Sequence, residues 1–207
     1  GTVTPKAQPG NALPRLFRIR GQNAIINRMG FNNHGMHAMA RRLSDVRASG
    51  RVNGTMLGVN LGKNKDTPND QAVSDYVKGM DCLHTYADYF TINLSSPNTP
   101  GLRALQHGQA LHTLLSKVKE QQLALAGSST PVPLMLKVAP DLDQAEVGHI
   151  AEQVIACEFD GLIAGQMMQR PLLVSSLIEY GKDFHPRSEI VSRRVEGDIH
   201  RYTYAES

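Results

Sequence analysis

The chain has 207 residues, 41% of them hydrophobic and 20% charged, with a formal charge of +3. That size suits one globular domain or slightly more, and no run approaches the roughly 18 consecutive apolar residues of a membrane-spanning helix. No signal peptide is visible, and no basic run with interleaved aromatics argues for nucleic acid as a partner.

An apolar pattern from about His34 to Ser49 predicts a first helix, on which His34 and His37 share a face without a third group to complete a metal site. Thr55–Leu61 then reads as a short strand. Its end, Gly58-Val59-Asn60-Leu61-Gly62, lacks the third glycine of a dinucleotide fingerprint. Thr67 as a cap and Pro68 at the first turn start a second helix, with Val73, Tyr76, Val77, Met80 and Leu83 at helical spacing. Tyr89–Leu94 is the next strand, and it runs into the polar loop Asn93-Leu94-Ser95-Ser96-Pro97-Asn98-Thr99-Pro100-Gly101-Leu102-Arg103. A third helix carries Leu111, Leu114, Leu115, Val118 and Leu125 on one face. Pro133–Val138 follows as a strand, then Asp143-Gln144-Ala145-Glu146 as a capping box ahead of Val147, Ile150, Ala151 and Val154. Phe159–Ala164 is the fourth strand. All four runs are short and rich in Val, Ile, Leu or Phe, the composition of strands buried on both faces. Cys82 and Cys157 fall on separate predicted helices, form no ligand spacing and read as small packing residues of a reducing compartment.

Repeated strand–helix–strand units argue for parallel pairing and an α/β class. Polar residues decide between a barrel and an open doubly wound sheet. Asn60, Asn93 and Lys137 sit inside or at the ends of successive strands, where burial costs about 1–3 kcal/mol apiece unless something bonds them. Convergence of strand-end polar groups on one ligand is what a barrel mouth provides. A closed barrel needs roughly 250 residues and eight strands, so the expected architecture is an incomplete β/α barrel with about four to five units over residues 1–164.

The loop around Ser96 resembles the active-site loop of the quinone-linked (class 2) dihydroorotate dehydrogenases. The likeness extends to Gly1-Thr2-Val3-Thr4-Pro5, Asn27-Arg28-Met29-Gly30-Phe31-Asn32-Asn33, Leu61-Gly62-Lys63-Asn64-Lys65-Asp66-Thr67-Pro68 and Leu136-Lys137-Val138-Ala139-Pro140-Asp141-Leu142, in that order along the chain. The resemblance implies a barrel that holds FMN over its mouth and oxidises dihydroorotate to orotate in pyrimidine synthesis, with a membrane quinone reoxidising the flavin. It implies Ser96 as the catalytic base. Asn27, Arg28, Met29, Gly30, Phe31, Asn93, Ser96, Pro97 and Asn98 are implied at the substrate, and Thr2, Asn60, Asn93 and Lys137 at the flavin. On the residues alone, Asn27 also fits a turn cap, Asn60 a loop-backbone partner and Lys137 an ion pair with Asp141. The resemblance further implies a bacterial enzyme on the cytoplasmic side of the inner membrane, docked through N-terminal helices expected before Gly1, with the first barrel strand.

The family's next strand would end in Thr-Asn-Thr-Thr, whereas Asp160-Gly161-Leu162-Ile163-Ala164 continues into Gly165-Gln166-Met167. Residues 165–207 lose the β/α rhythm and read as a divergent tail. Its stretch from Met167 to Glu206 resembles the start of an acyl-CoA ligase. The alternative reading of the whole is a catalytically inactive half-barrel without bound flavin.

Overall fold

The computed structural model describes residues 1–22, 24–52, 54–99, 101–164, 189–193 and 199–203. Contacts divide the chain into two units, Gly1–Arg18 with Ile25–Met167, and Ile19–Ala24 with Met168–Ser207. In chain order the elements are β1 (Leu16–Ile19), β2 (Ala24–Asn27), α1 (Met36–Ala48), β3 (Gly58–Leu61), α2 (Ala72–Leu83), β4 (Tyr89–Asn93), α3 (Gly108–Ala126), β5 (Leu134–Val138), α4 (Gln144–Ala156), β6 (Gly161–Ala164), β7 (Glu189–Arg193) and β8 (Ile199–Thr203).

The four expected strands pair in parallel in the order β3-β4-β5-β6, with a helix in each crossover. This is an incomplete β/α barrel, an arc of parallel units that does not close among the described residues. β3, β5 and β6 start later than their apolar runs while β4 starts at Tyr89 as expected, and acid side chains bond backbone groups at two of these strand starts. Asp88, just before β4, accepts from Leu57 N at 2.6 Å, and Asp160, just before β6, accepts from Leu134 N at 2.7 Å. The main chains of both pairs bond in return, at 2.9 Å each.

Burial on both faces is not what forms. Val59, Leu61, Phe90, Ile92, Leu134, Leu136 and Val138 point to one face and are at most 5% exposed. There they join Tyr76, Met80, Leu83, Leu111, Leu114, Leu115, Val118, Ile150 and Val154 of the helices in one apolar cluster. The other face carries Gly58 and Asn60, Tyr89, Thr91 and Asn93, Met135 and Lys137, Gly161 and Ile163, most of them only partly covered. Large and small residues alternate there. A Cβ on Gly58 would lie 2.1 Å from the Tyr89 ring, so that position has no room for a side chain.

Val3 adds a further parallel bridge beside β3, donating to Asn60 O and accepting from Gly62 N, both at 2.9 Å. The edge of β3 is therefore partly covered by the first residues of the chain, where the first barrel strand was expected to end before Gly1.

Three helix details differ from expectation. Thr67 does not cap; after Pro68 the chain enters α2 through a 3-10 turn, Asn69–Gln71, and the Thr67 carbonyl accepts from Lys63 Nζ. Val147 is 46% exposed, because only the Ile150 and Val154 side of α4 meets the sheet. His34 precedes α1 and does not share its face with His37, whose Nδ1 lies 3.6 Å from Cys82 Sγ. The capping box forms as expected: Asp143 Oδ1 accepts from Glu146 N, and Glu146 Oε2 accepts from Asp143 N, both at 2.8 Å.

β1 and β2 make a two-stranded sheet that the periodicity did not announce. In the second unit β7 and β8 pair antiparallel, from Glu189↔Thr203 to Arg193↔Ile199. The rest of residues 165–207 lies outside the described residues. None of the described helices is long and apolar enough to cross a membrane.

Candidate active site

Parallel register sets the polar strand-end residues side by side. Asn93 is the partner of Lys137, and Asn60 is the partner of Thr91, two residues before Asn93 on the same face. Hydrogen bonds join the group. Lys137 Nζ donates to Ser95 Oγ at 2.6 Å, and Ser95 Oγ donates to Asn93 Oδ1 at 2.8 Å. Asn93 Nδ2 donates to Thr2 Oγ1 at 3.0 Å, and Thr2 Oγ1 donates to Asn60 Oδ1 at 3.2 Å. Four sequence-expected residues thus meet, with Ser95 as a link that sequence reasoning left out of the site. Burial holds the Lys137 ammonium below the ordinary lysine range, because desolvation disfavours its charged form. Asp141 is not its partner. That carboxylate pairs with Arg103 at 2.9 Å, and the guanidinium holds it below the usual carboxylate range.

The loop after β4 is fixed from several sides. Its first residue, Asn93, is 4% exposed and its carbonyl accepts from the buried Tyr76 hydroxyl at 3.1 Å. Burial raises the Tyr76 phenol far above its ordinary range, so it is a permanent donor there. Arg103 Nε donates back to Ser95 O at 3.3 Å. Gln106, 1% exposed, accepts from Ala139 N at 2.8 Å and donates to Arg103 O at 3.3 Å, tying the loop to the end of β5. Ser96 is half-buried at the turn of this loop, and its Oγ accepts from Asn98 N at 3.2 Å. Pro97 is exposed and Asn98 half-buried beside it. A donor on Oγ favours negative charge on that oxygen, the property a serine base requires.

The segment 27–33 reaches this group through one residue. Gly30 and Phe31 take successive left-handed conformations, φ +71° and +55°. A phenylalanine held there stores strain of order 1–3 kcal/mol. Asn33 maintains it by donating to Phe31 O at 2.7 Å while accepting from Gly35 N at 2.8 Å. The Phe31 ring lies against Gly62, whose missing side chain leaves the space: a Cβ there would be 2.5 Å from the Thr2 methyl and 2.9 Å from Phe31 Cε2. Asn27, by contrast, is exposed at the end of β2 and accepts from Met29 N at 3.4 Å, a local turn contact. Arg28, also exposed, donates to Pro14 O at 3.1 Å, and half-buried Met29 takes Asn11 N on its carbonyl at 3.0 Å. Among the described residues no hydrogen bond links Asn27 or Arg28 to the strand-end group.

A sequence profile of dihydroorotate dehydrogenase matches residues 1–179. The chain belongs to the dihydroorotate dehydrogenase family. Among its relatives, dihydroorotate dehydrogenase (quinone) of Idiomarina loihiensis is 53% identical over 165 residues, covering 79% of this chain and 48% of that protein. The enzyme of the same name from Shewanella strain ANA-3 is 52% identical, over 79% of this chain and 47% of its own length. Of solved structures, that of Eimeria tenella DHODH in complex with ferulenol superposes with a TM-score of 0.75 at 38% identity, covering 83% of this chain and 50% of that one. A ligand-free structure of the Eimeria tenella protein gives 0.72 at 39%, over 83% and 52%. The chain spans about half the length of the curated relatives it matches. Nothing in these comparisons supports an acyl-CoA ligase origin for the tail, and the family profile runs beyond residue 164 into it.

Several residues of the candidate site were missed from sequence. Ser95 and Arg103 lay in the quoted loop, but adjacent serines in a turn look alike until one is seen bonded to a lysine 42 residues away. Asn64, 7% exposed, donates to Thr4 Oγ1, Lys6 O and Gln8 Oε1, gathering the N-terminal segment. It lay in the quoted Leu61–Pro68 motif, but no site role was read for it there. Among the described residues no three His, Cys, Asp or Glu side chains converge as a metal site.

Proposed function

We propose that the chain holds FMN at Thr2, Asn60, Asn93 and Lys137 and serves the oxidation of dihydroorotate to orotate, with Ser96 as the base and Asn27, Arg28, Met29, Gly30, Phe31, Asn93, Pro97 and Asn98 around the substrate. The observation that carries the reading is the convergence of Lys137, Ser95, Asn93, Thr2 and Asn60 at three strand ends, next to the Ser96 loop. The donor set fits the group. Lys137 has N–H donors beyond the one given to Ser95, and among the described residues the Asn60 amide nitrogen has no acceptor, whereas the pyrimidine edge of a flavin offers carbonyl and ring-nitrogen acceptors. FMN, when bound, supplies the hydride acceptor.

The chain's own residues do the rest. The Lys137 charge favours electron density gathering on whatever occupies the mouth. Asn98 N–H on Ser96 Oγ stabilises that oxygen as it takes a proton from the substrate ring carbon and passes its own hydroxyl proton to solvent water. Arg103 and Gln106 keep the loop in place while this happens. Quinone as terminal acceptor, a peripheral place at a bacterial inner membrane, and a division into a flavin-holding part, 1–164, and a tail, 165–207, complete the proposal.

The test is the visible spectrum of purified protein, with FMN added, before and after dihydroorotate without oxygen. Substrate should bleach the flavin band, and Ser96→Ala should keep the band but slow bleaching about 10²–10⁴-fold. Protein that stays colourless with added FMN, or a Ser96→Ala variant that bleaches at the native rate, overturns the reading.

A further inference from the structure

The five-residue chain of hydrogen bonds has a direction, and obligate donors force it from Lys137 as far as Thr2. A lysine ammonium can only donate, so Ser95 Oγ must accept from Lys137 Nζ. The single Ser95 hydroxyl proton is then free for Asn93. The backbone N–H of Ser95, also obligately a donor, reaches the same Asn93 atom at 3.0 Å. Two donors on one atom identify it as the carbonyl oxygen of the Asn93 amide. Its nitrogen must therefore face Thr2, the Thr2 oxygen must accept, and the Thr2 proton goes to Asn60 Oδ1. All four bonds run from Lys137 toward Asn60, and bonds aligned this way polarise one another.

We propose that Ser95 is a positioning residue that sets this direction: it fixes which way the Asn93 amide faces and holds the Lys137 ammonium, so that the mouth offers donors to its ligand. Ser95 is the one member that touches both partners, and its backbone and side chain act on the same Asn93 oxygen. It is 7% exposed and its Oγ is engaged on both sides, so it is placed to act through Lys137 and Asn93 and not on the ligand itself. The consequence for flavin binding rests on the function proposed above; the geometry of the chain of bonds does not.

Two readouts need no cofactor. The first is acylation of Lys137 by acetic anhydride at neutral pH, followed by peptide mass spectrometry. The second is solvent exchange of the Asn93 side-chain amide protons, followed by nitrogen-15 NMR. Losing a hydrogen bond to a charged donor should make Ser95→Ala react at Lys137 about tenfold faster than the native chain. Asn93 amide exchange should rise about tenfold with it. Ser95→Thr keeps the hydroxyl and should restore both. Where Ser95→Ala does not fold, the near-isosteric Ser95→Cys replaces it, with the same expectation because a thiol is a weak donor and acceptor. The third readout is FMN affinity, expected to fall about tenfold in Ser95→Ala and return in Ser95→Thr. Unchanged Lys137 labelling and unchanged Asn93 exchange in the variant overturn the proposal. If those two respond but no version of the chain binds FMN, the positioning role stands and the function proposed above fails.

Discussion

Replacing Gln106 with leucine should measurably loosen the tie between the Ser96 loop and β5. Gln106 is 1% exposed and spans two backbone groups, accepting from Ala139 N at 2.8 Å and donating to Arg103 O at 3.3 Å. Ala139 is itself 2% exposed, so without the amide oxygen its N–H is left buried and unpaired. That costs about 1–3 kcal/mol. The longer bond to Arg103 O adds about 0.5–1 kcal/mol, since its residue is half-exposed and water replaces part of it. Leucine recovers roughly 1 kcal/mol through added apolar burial, which leaves a net loss of about 0.5–3 kcal/mol. With a urea slope of about 2 kcal/mol/M, the unfolding midpoint should fall by about 0.25–1.5 M. The assay is urea denaturation followed by far-UV circular dichroism, with the slope checked for equality between native and variant. A midpoint shift under about 0.2 M at unchanged slope would refute the reasoning, because it would mean Ala139 N–H finds another partner at no cost.

Gly58→Ala should destabilise by about 1–3 kcal/mol because the new methyl meets the Tyr89 ring, whereas Gly161→Ala should cost clearly less, since its contact at 2.5 Å is the flexible end of Met135. Equal midpoint shifts in urea would count against that account. Asp143→Ala removes one half of the α4 capping box and should lower stability by about 0.5–2 kcal/mol, read from thermal melts, with Asp143→Ser recovering most of it. Lys63, 2% exposed, is held below the ordinary lysine range chiefly by burial, against the opposing pull of Asp75 and Asp66. Its folded pKa lies below its unfolded one, so the unfolded chain binds more protons in that window and stability rises as pH climbs from the depressed value toward about 10.4. Urea midpoints taken across that window should rise more for the native chain than for Lys63→Met, and parallel pH profiles would contradict the assignment.

The strands, their parallel order and the polar trio Asn60, Asn93 and Lys137 were legible because each depends on local facts: short apolar runs, intervening helical periods and polar residues at run ends. Burial was read less well. An apolar run looks the same whether it is covered on one face or two, and only the missing cover over Gly58, Met135 and Gly161 distinguishes them. β1 and β2 stayed invisible because Leu16, Phe17, Ile25 and Ile26 are 42–57% exposed, so no alternation of buried and open positions marks them. Thr67 had the chemistry of a cap, but the chain turns through a tighter helix, Asn69–Gln71, before α2 begins. The alternative partner for Lys137, Asp141, is excluded for a similar reason. Asp141 is four residues away in sequence, while Ser95 is brought near only by the pairing of β4 with β5.

That pairing makes core and mouth two readings of one alignment. In β4 the odd positions Tyr89, Thr91 and Asn93 face the mouth and the even positions Phe90, Ile92 and Leu94 supply apolar bulk; in β3 and β5 the same division holds strand by strand. A shift of one residue would exchange the two sets entirely. Inserting or deleting a single residue within a strand is thus never a local edit: it sends amides and a lysine into the apolar layer and carries leucines to the ligand side.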